Sequence, residues 1–179
     1  MSLTFRPTPT PTIASEAAQT AAAVVDLLND GTISLPTPAE RQYLPLLELD
    51  KAGDTSVIVI ATGRSLEWES RSGRQAHVQG QVPSVAKQKR FVMVEVGVSE
   101  KFDKFNDPKA ADSVLSRCEQ VANLLSSVSV QVKAKLTAYP MPDGEIPSCQ
   151  HSPLYDPGLW KTNHQFTGIV RINYRLMDG

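Results

Sequence analysis

Cysteine is scarce in this chain. Cys118 and Cys149 are its only two, enough for a single bridge and too few for a disulfide framework. Charge imbalance is missing too. The formal net charge is −1 over 179 residues, whereas proteins that bind nucleic acid by neutralising phosphates are visibly basic. No apolar run approaches the ~18 residues of a membrane-spanning helix. Aromatic residues make up 6% of the chain, and Trp68 alone lies in its most basic stretch, which leaves little there to stack on bases. The opening residues are rich in proline and threonine without an apolar centre, so no secretory signal is expected. Gly63, Gly73 and Gly80 make no phosphate-loop pattern, and no Gly-Lys-Ser/Thr occurs. These absences point to a protein of the cell interior or of a particle. A chain of this length buries roughly 70% of its unfolded surface, so neither a disulfide nor a metal is needed for a core.

What is present is periodicity. Residues 4–12 (TFRPTPTPT) alternate proline with threonine. Proline fixes φ and donates no backbone hydrogen bond, so residues 1–14 are expected to form an extended arm, either a frayed terminus or a segment that lies on a neighbouring subunit. Ser15 is a candidate N-cap. Ala17, Ala21, Val24, Val25 and Leu28 then form one apolar helical stripe, and Gly31 ends it. Residues 41–48 read as a strand that Pro45 confines to a sheet edge. Residues 50–54 (DKAGD) read as a turn, and 56–62 (SVIVIAT) as a strand covered on both faces. A weaker alternation over 66–71 suggests a further strand paired with it. Residues 72–89 form a long, irregular, basic loop, a kind that is usually functional or disordered.

Residues 90–100 (RFVMVEVGVSE) give the clearest strand, with Val92, Val94, Val96 and Val98 on one face. Asp107 and Pro108 start a second helix that runs to about Ser127. Val114, Leu115, Cys118, Val121, Leu124 and Leu125 are its apolar stripe, expected to cover the valine face. Residues 128–138 alternate as a strand, and 137–153 read as loop. The closing strand puts Val170, Ile172, Tyr174 and Leu176 on one face. Ile169, Arg171, Asn173 and Arg175 fall on the other, an unusually polar face. The expected order is helix, two to four strands, helix, two strands. That is an α+β domain over residues 15–179, with a mixed or antiparallel sheet of four to six strands and both helices on one face.

Catalytic chemistry does not emerge. His77, His151 and His164 are dispersed, and Cys149 with His151 is two ligands where a zinc site needs three or four. Cys118 sits on an apolar stripe, where free cysteine acts as a small hydrophobe. Asp50 and Asp54, and the acids around residue 107, suit turns and caps. No cofactor, metal or enzymatic activity is expected; the runner-up of another class is a small enzyme with a pocket under the 72–89 loop. The residues that stand out as protein-interface candidates are Arg64, Arg71, Arg74, His77, Lys87, Lys89 and Arg90 in and around the basic loop. Arg171, Asn173 and Arg175 join them on the closing strand.

Four segments, in order, carry a family resemblance. The first is Leu27-Leu28-Asn29-Asp30-Gly31 with Ser34-Leu35-Pro36, Ala39-Glu40-Arg41 and Tyr43-Leu44-Pro45. The second is Val57-Ile58-Val59-Ile60, then Gly63, then Glu67-Trp68-Glu69-Ser70-Arg71. The third is Val94-Glu95-Val96-Gly97-Val98 followed by a helix with a Val-Leu-x-x-x-Glu-x-x-Ala-x-x-Leu rhythm. The last is Pro153-Leu154-Tyr155-Asp156-Pro157 with Gln165-Phe166-Thr167 and the closing strand. Over residues 17–176 the chain resembles the tail-terminator-like proteins of tailed bacteriophages. It departs from them in the connection at 78–89, which puts the pairing of the flanking strands in question, and in its additional proline arm. The resemblance implies a structural virion protein of the tail or neck, assembled in the host cytoplasm. It would form a ring, typically of six subunits, on the last layer of the tail tube. Its partners would be itself, the tail tube protein and the head-neck connector, with DNA passing through the ring rather than being bound specifically. Another neck or head-completion protein is the alternative within that class.

Overall fold

The structure is a computed structural model that describes residues 15–42, 49–68, 88–103, 108–141, 149–154 and 164–178; at 63–68, 88–89, 108–110 and 149–154 it describes the backbone alone. The expected N-terminal arm, the residues around Pro45, Asp107 and most of the basic loop lie outside the described residues. The elements run α1 (Glu16–Leu28), β1 (Ala39–Arg41), β2 (Thr55–Trp68), β3 (Gln88–Lys101), α2 (Pro108–Ser127), β4 (Val130–Lys133), β5 (Leu136–Pro140), β6 (Cys149–Leu154) and β7 (Gln165–Asp178).

The first helix forms for the reasons its sequence suggests. Ser15 caps it, its Oγ accepting from the Ala18 N–H at 3.2 Å. The buried Thr20 hydroxyl donates to the Glu16 carbonyl at 2.8 Å, so no polar group is orphaned on the apolar stripe. Past the helix, Gly31 takes φ +89°, a turn conformation costly for other residues. Asn29 then does the work of a strand neighbour. Its side-chain amide donates to the Ala39 carbonyl at 2.9 Å and accepts from the Ala39 N–H at 2.8 Å. That seals the outer edge of β1, where backbone groups would otherwise lack partners.

The sheet runs β1-β2-β3-β7-β5-β4, with β6 also on β7. Among the described residues only β1 and β2 are parallel; the other pairs are antiparallel. The expected α+β fold with a mixed sheet is therefore present. β5 and β6 occupy one lane. Tyr139 and Pro140 pair with Arg175 and Tyr174, and Cys149 resumes opposite Ile172. Among the described residues, seven strands thus fill six lanes, β5 and β6 sharing one of them.

Several expected boundaries change. Residues 66–68 do not form a separate strand; they continue β2 past a bulge between Ala61 and Gly63. β2 and β3 pair from Thr55–Glu100 to Trp68–Gln88, so the strands flanking the long connection are partners after all. The alternation over 128–138 is a hairpin, β4 and β5 joined through Ala134 and Lys135, and four strands rather than two follow α2. Residues 137–140 and 149–154, expected as loop, are strand. The 50–54 turn is as read. Gly53 adopts φ +87°, and the Asp54 carboxylate accepts from the Lys51 N–H at 2.8 Å.

Both helices lie on one face and share one core. Val57, Val59, Val92, Val94, Val96, Val98, Val170, Ile172 and Tyr174 are buried beneath Ala21, Val24 and Leu28 of α1 and Val114, Cys118, Val121 and Leu125 of α2. Each such valine or leucine is worth about 1.5–3 kcal/mol relative to exposure. α1 touches β1 and β4, the two end lanes, as well as β2 and β3, so the sheet curls around it. α2 rests on β7 at Gly168, where a β-carbon would stand 2.5 Å from Cys118 Sγ and 3.4 Å from Val114 Cγ1. Glycine there is a packing requirement: it lets helix and strand backbones come close. Burial, with the negative charge of Glu119 adding to it, pushes the Cys118 thiol up to about 12.

Candidate interaction surface

Strand periodicity gives the sheet a second face that neither helix covers. Along β7 it carries Ile169, Arg171, Asn173, Arg175 and Met177; along β3, Phe91, Met93, Glu95, Gly97 and Ser99. Its two ends differ. Toward the start of β7, Ile58, Ile169 and Ser99 are buried, and Ser99 and Thr167 share a hydroxyl hydrogen bond of 2.7 Å. Toward its end the surface is open. Tyr139 and Met177, 45% and 46% exposed, are the exposed large hydrophobic residues among those described. They sit together, because Tyr139 pairs with Arg175 and Thr137 pairs with Met177. Phe91 completes the row on the other side of Arg175.

The sequence-derived candidates divide into three groups. Arg71, Arg74, His77 and Lys87 lie outside the described residues. Arg64 and Lys89 are placed by backbone only: Arg64 pairs with Val92, and Lys89 with Glu67, in the β2–β3 ladder. Arg90, Arg171, Asn173 and Arg175 have described side chains, and their roles differ.

Arg90 is on the helix side of the sheet. Its guanidinium donates to Glu16 at 2.7 Å and to Asp178 at 2.6 Å, and these carboxylates, Asp178 first, raise its pKa. It ties the first turn of α1 to the start of β3 and the end of β7. Arg171 faces away from the helices and donates through Nε to Glu95 at 2.5 Å, its direct partner across the strands. Asn173 pairs with Met93. For Arg175 no ion pair is found among the described residues, and Phe91 and Tyr139 flank it in register. An arginine between aromatic residues, with methionine alongside, matches the composition of protein–protein contact centres.

A cleft of about 600 Å³ opens between Pro36–Thr37, the 49–55 turn and α2. Its charges hold the fold together. Glu100 accepts from Arg117 and from the Ser113 hydroxyl. The Lys101 ammonium beside it donates to the carbonyls of Leu49 and Asp50 at 2.6 and 3.1 Å. No three His, Cys, Asp or Glu side chains among the described residues are grouped to hold a metal ion. In comparisons with protein-family models and with curated proteins, neither a family model nor a curated protein matches this chain.

Sequence reasoning singled out the arginines of the closing strand but not Tyr139 and Met177, which complete their patch. From sequence, residues 137–153 read as loop, which hides Tyr139, and Met177 lies beyond the closing strand's clear alternation. The alternation of β5, apolar inward and polar outward from Leu136, is the signal that finds Tyr139.

Proposed function

We propose that this chain is a structural subunit of a bacteriophage tail or neck, a tail terminator that closes the tail tube as a ring and offers the joining surface for the head-neck connector. The role is mechanical and not catalytic. The reading rests on the ordered resemblance over residues 17–176. The observation in the structure that supports it is the open end of the sheet face that neither helix covers, at Tyr139, Arg175 and Met177. A closed ring needs two different, complementary surfaces on each subunit, and an aromatic-arginine-methionine patch suits one of them. The near-neutral net charge of −1 leaves docking on the tube to local complementarity.

Electron microscopy of tails assembled without the protein tests this. Overlong tube structures are the expected result. Tails of normal length that lack heads would move the protein to the connector, and normal, head-bearing tails would end the proposal.

A further inference from the structure

We infer that the Tyr139–Arg175–Phe91–Met177 patch is the seat for the proline-threonine arm of a second copy of the chain. The inference takes from the ring reading only that a neighbouring copy is present.

Three observations meet here. The first is where the arm is rooted. Arg90 holds Glu16 against Asp178, so Ser15 sits at the end of the sheet where β3 begins and β7 finishes. Phe91, Arg175 and Met177 are at that same end, on the opposite face. The second is the chemistry of the arm. Pro7, Pro9 and Pro11 alternate with threonine, and a proline restricts the residue before it as well, so residues 6–11 are held to extended, polyproline-type backbone. Such a segment has no internal hydrogen bonds and shows its carbonyls to the outside. Its usual seat is a row of aromatic side chains with a polar donor between them. Tyr139 and Phe91 with Arg175 between them make such a row, and Arg175 has donors for carbonyl oxygens.

The third observation decides between the chain's own patch and a neighbour's. Reaching its own patch would require the arm to reverse over the strand ends within Thr12, Ile13 and Ala14, since the stiff segment, residues 6–11, lies just before them. The first fourteen residues contain no glycine, the residue that makes reversals easy. Extended, they span roughly 43 Å at polyproline spacing, enough to bridge to an adjacent subunit. An arm of that stiffness and reach suits a neighbour's patch better than its own.

A synthetic peptide covering residues 4–14 is the probe. It is titrated into full-length protein whose own arm carries Pro7→Ser, Pro9→Ser and Pro11→Ser. Saturable binding is expected, weakened at least about tenfold by Tyr139→Ser with Met177→Ser in the receptor, as for contact-centre residues. Circular dichroism and melting confirm that the receptor is folded; both side chains are exposed. Binding that survives these substitutions, or no binding at millimolar peptide, overturns the inference. A second experiment mixes full-length chains, one defective in the arm and the other in the patch. The second still has its arm and the first its patch, so mixed oligomers are expected. If the peptide binds yet no mixed species forms, the arm belongs on its own chain's patch and the second-copy assignment fails. The tail-length experiment is independent of both: a failed ring reading leaves peptide binding intact, and failed peptide binding leaves the tail phenotype intact.

Discussion

Val94 and Glu95 are neighbours in β3, yet they live in different solvents. Val94 is buried under the helices, within a run of valines that continues into Val170 and Ile172. Glu95 faces the other way and meets Arg171. On the helix side the positions between the Arg90 and Glu100 ion pairs answer to packing, so the residues there are apolar and the backbone spacing is tight enough to demand Gly168. On the bare side the residues form pairs, arginine with glutamate and tyrosine with arginine, whose energies are small in water. One face is therefore tuned for stability. The other has freedom to be tuned for what it touches.

That contrast can be broken most sharply at its centre. Val94→Asp puts an unpartnered carboxylate into the core and is expected to cost more than about 4 kcal/mol, abolishing the folded circular dichroism spectrum. Glu95→Val, one residue away, is expected to stay within about 1 kcal/mol of the parent in urea denaturation. Gly168→Ala should destabilise by about 1–3 kcal/mol through overpacking against Cys118. Adding Cys118→Ala should recover part of that loss, and a double-mutant cycle measures the coupling.

The Cys118 thiol gives a pH signature. Its value rises from the ordinary 9.0 to about 12 on folding. Below pH 9 the thiol is protonated in both states and costs nothing. Between about pH 9 and 12 the unfolded chain loses the proton first, so stability falls as pH rises. Denaturation curves of Cys118→Ala should lack that share of the decline. On the bare face the effects are smaller still. Arg171→Glu sets two carboxylates opposite each other and should cost about 1 kcal/mol, restored by Glu95→Arg. Arg175→Glu should change the melting free energy by no more than about 0.5 kcal/mol, while, on the ring reading proposed above, assembly on tail tubes is lost. Equal loss of stability and assembly in that variant would mean that the two faces are not specialised as described.

The parts of the fold that were legible are those with local causes. Ser15 and the stripe through Ala21, Val24 and Leu28 need only their own helix. The valines of β3 and the 50–54 turn are equally local. What was hidden depends on partners far along the chain. The pairing of β2 with β3 is masked by the long connection between them. The turn at Ala134 and Lys135 lacks the glycine or asparagine that usually announces a hairpin, so the alternation seemed to run straight through it. β6 contains Pro153 and little apolar periodicity, and only its ladder with β7 reveals it. The arginines of β7 were visible as an anomaly, but their meaning was not. Arg171 meets a glutamate 76 positions away, and Arg90 bridges 74 and 88 positions to its two acids. A lone Glu95 in an apolar strand was the clue that a cation had to lie opposite.

The Arg90 clamp also sets how the fold bears load. It fastens the root of α1 to the start of β3 and the last turnable residue of β7 at once. A pull along the chain before Ser15 is thereby passed into the β3–β7 ladder, whose pairs run from Arg90–Leu176 to Lys101–Gln165. Strands pulled along their length must lose many cross-links together, whereas strands peeled from one end lose them singly. Through one arginine the root of α1 is thus coupled to the ladder of the two central strands.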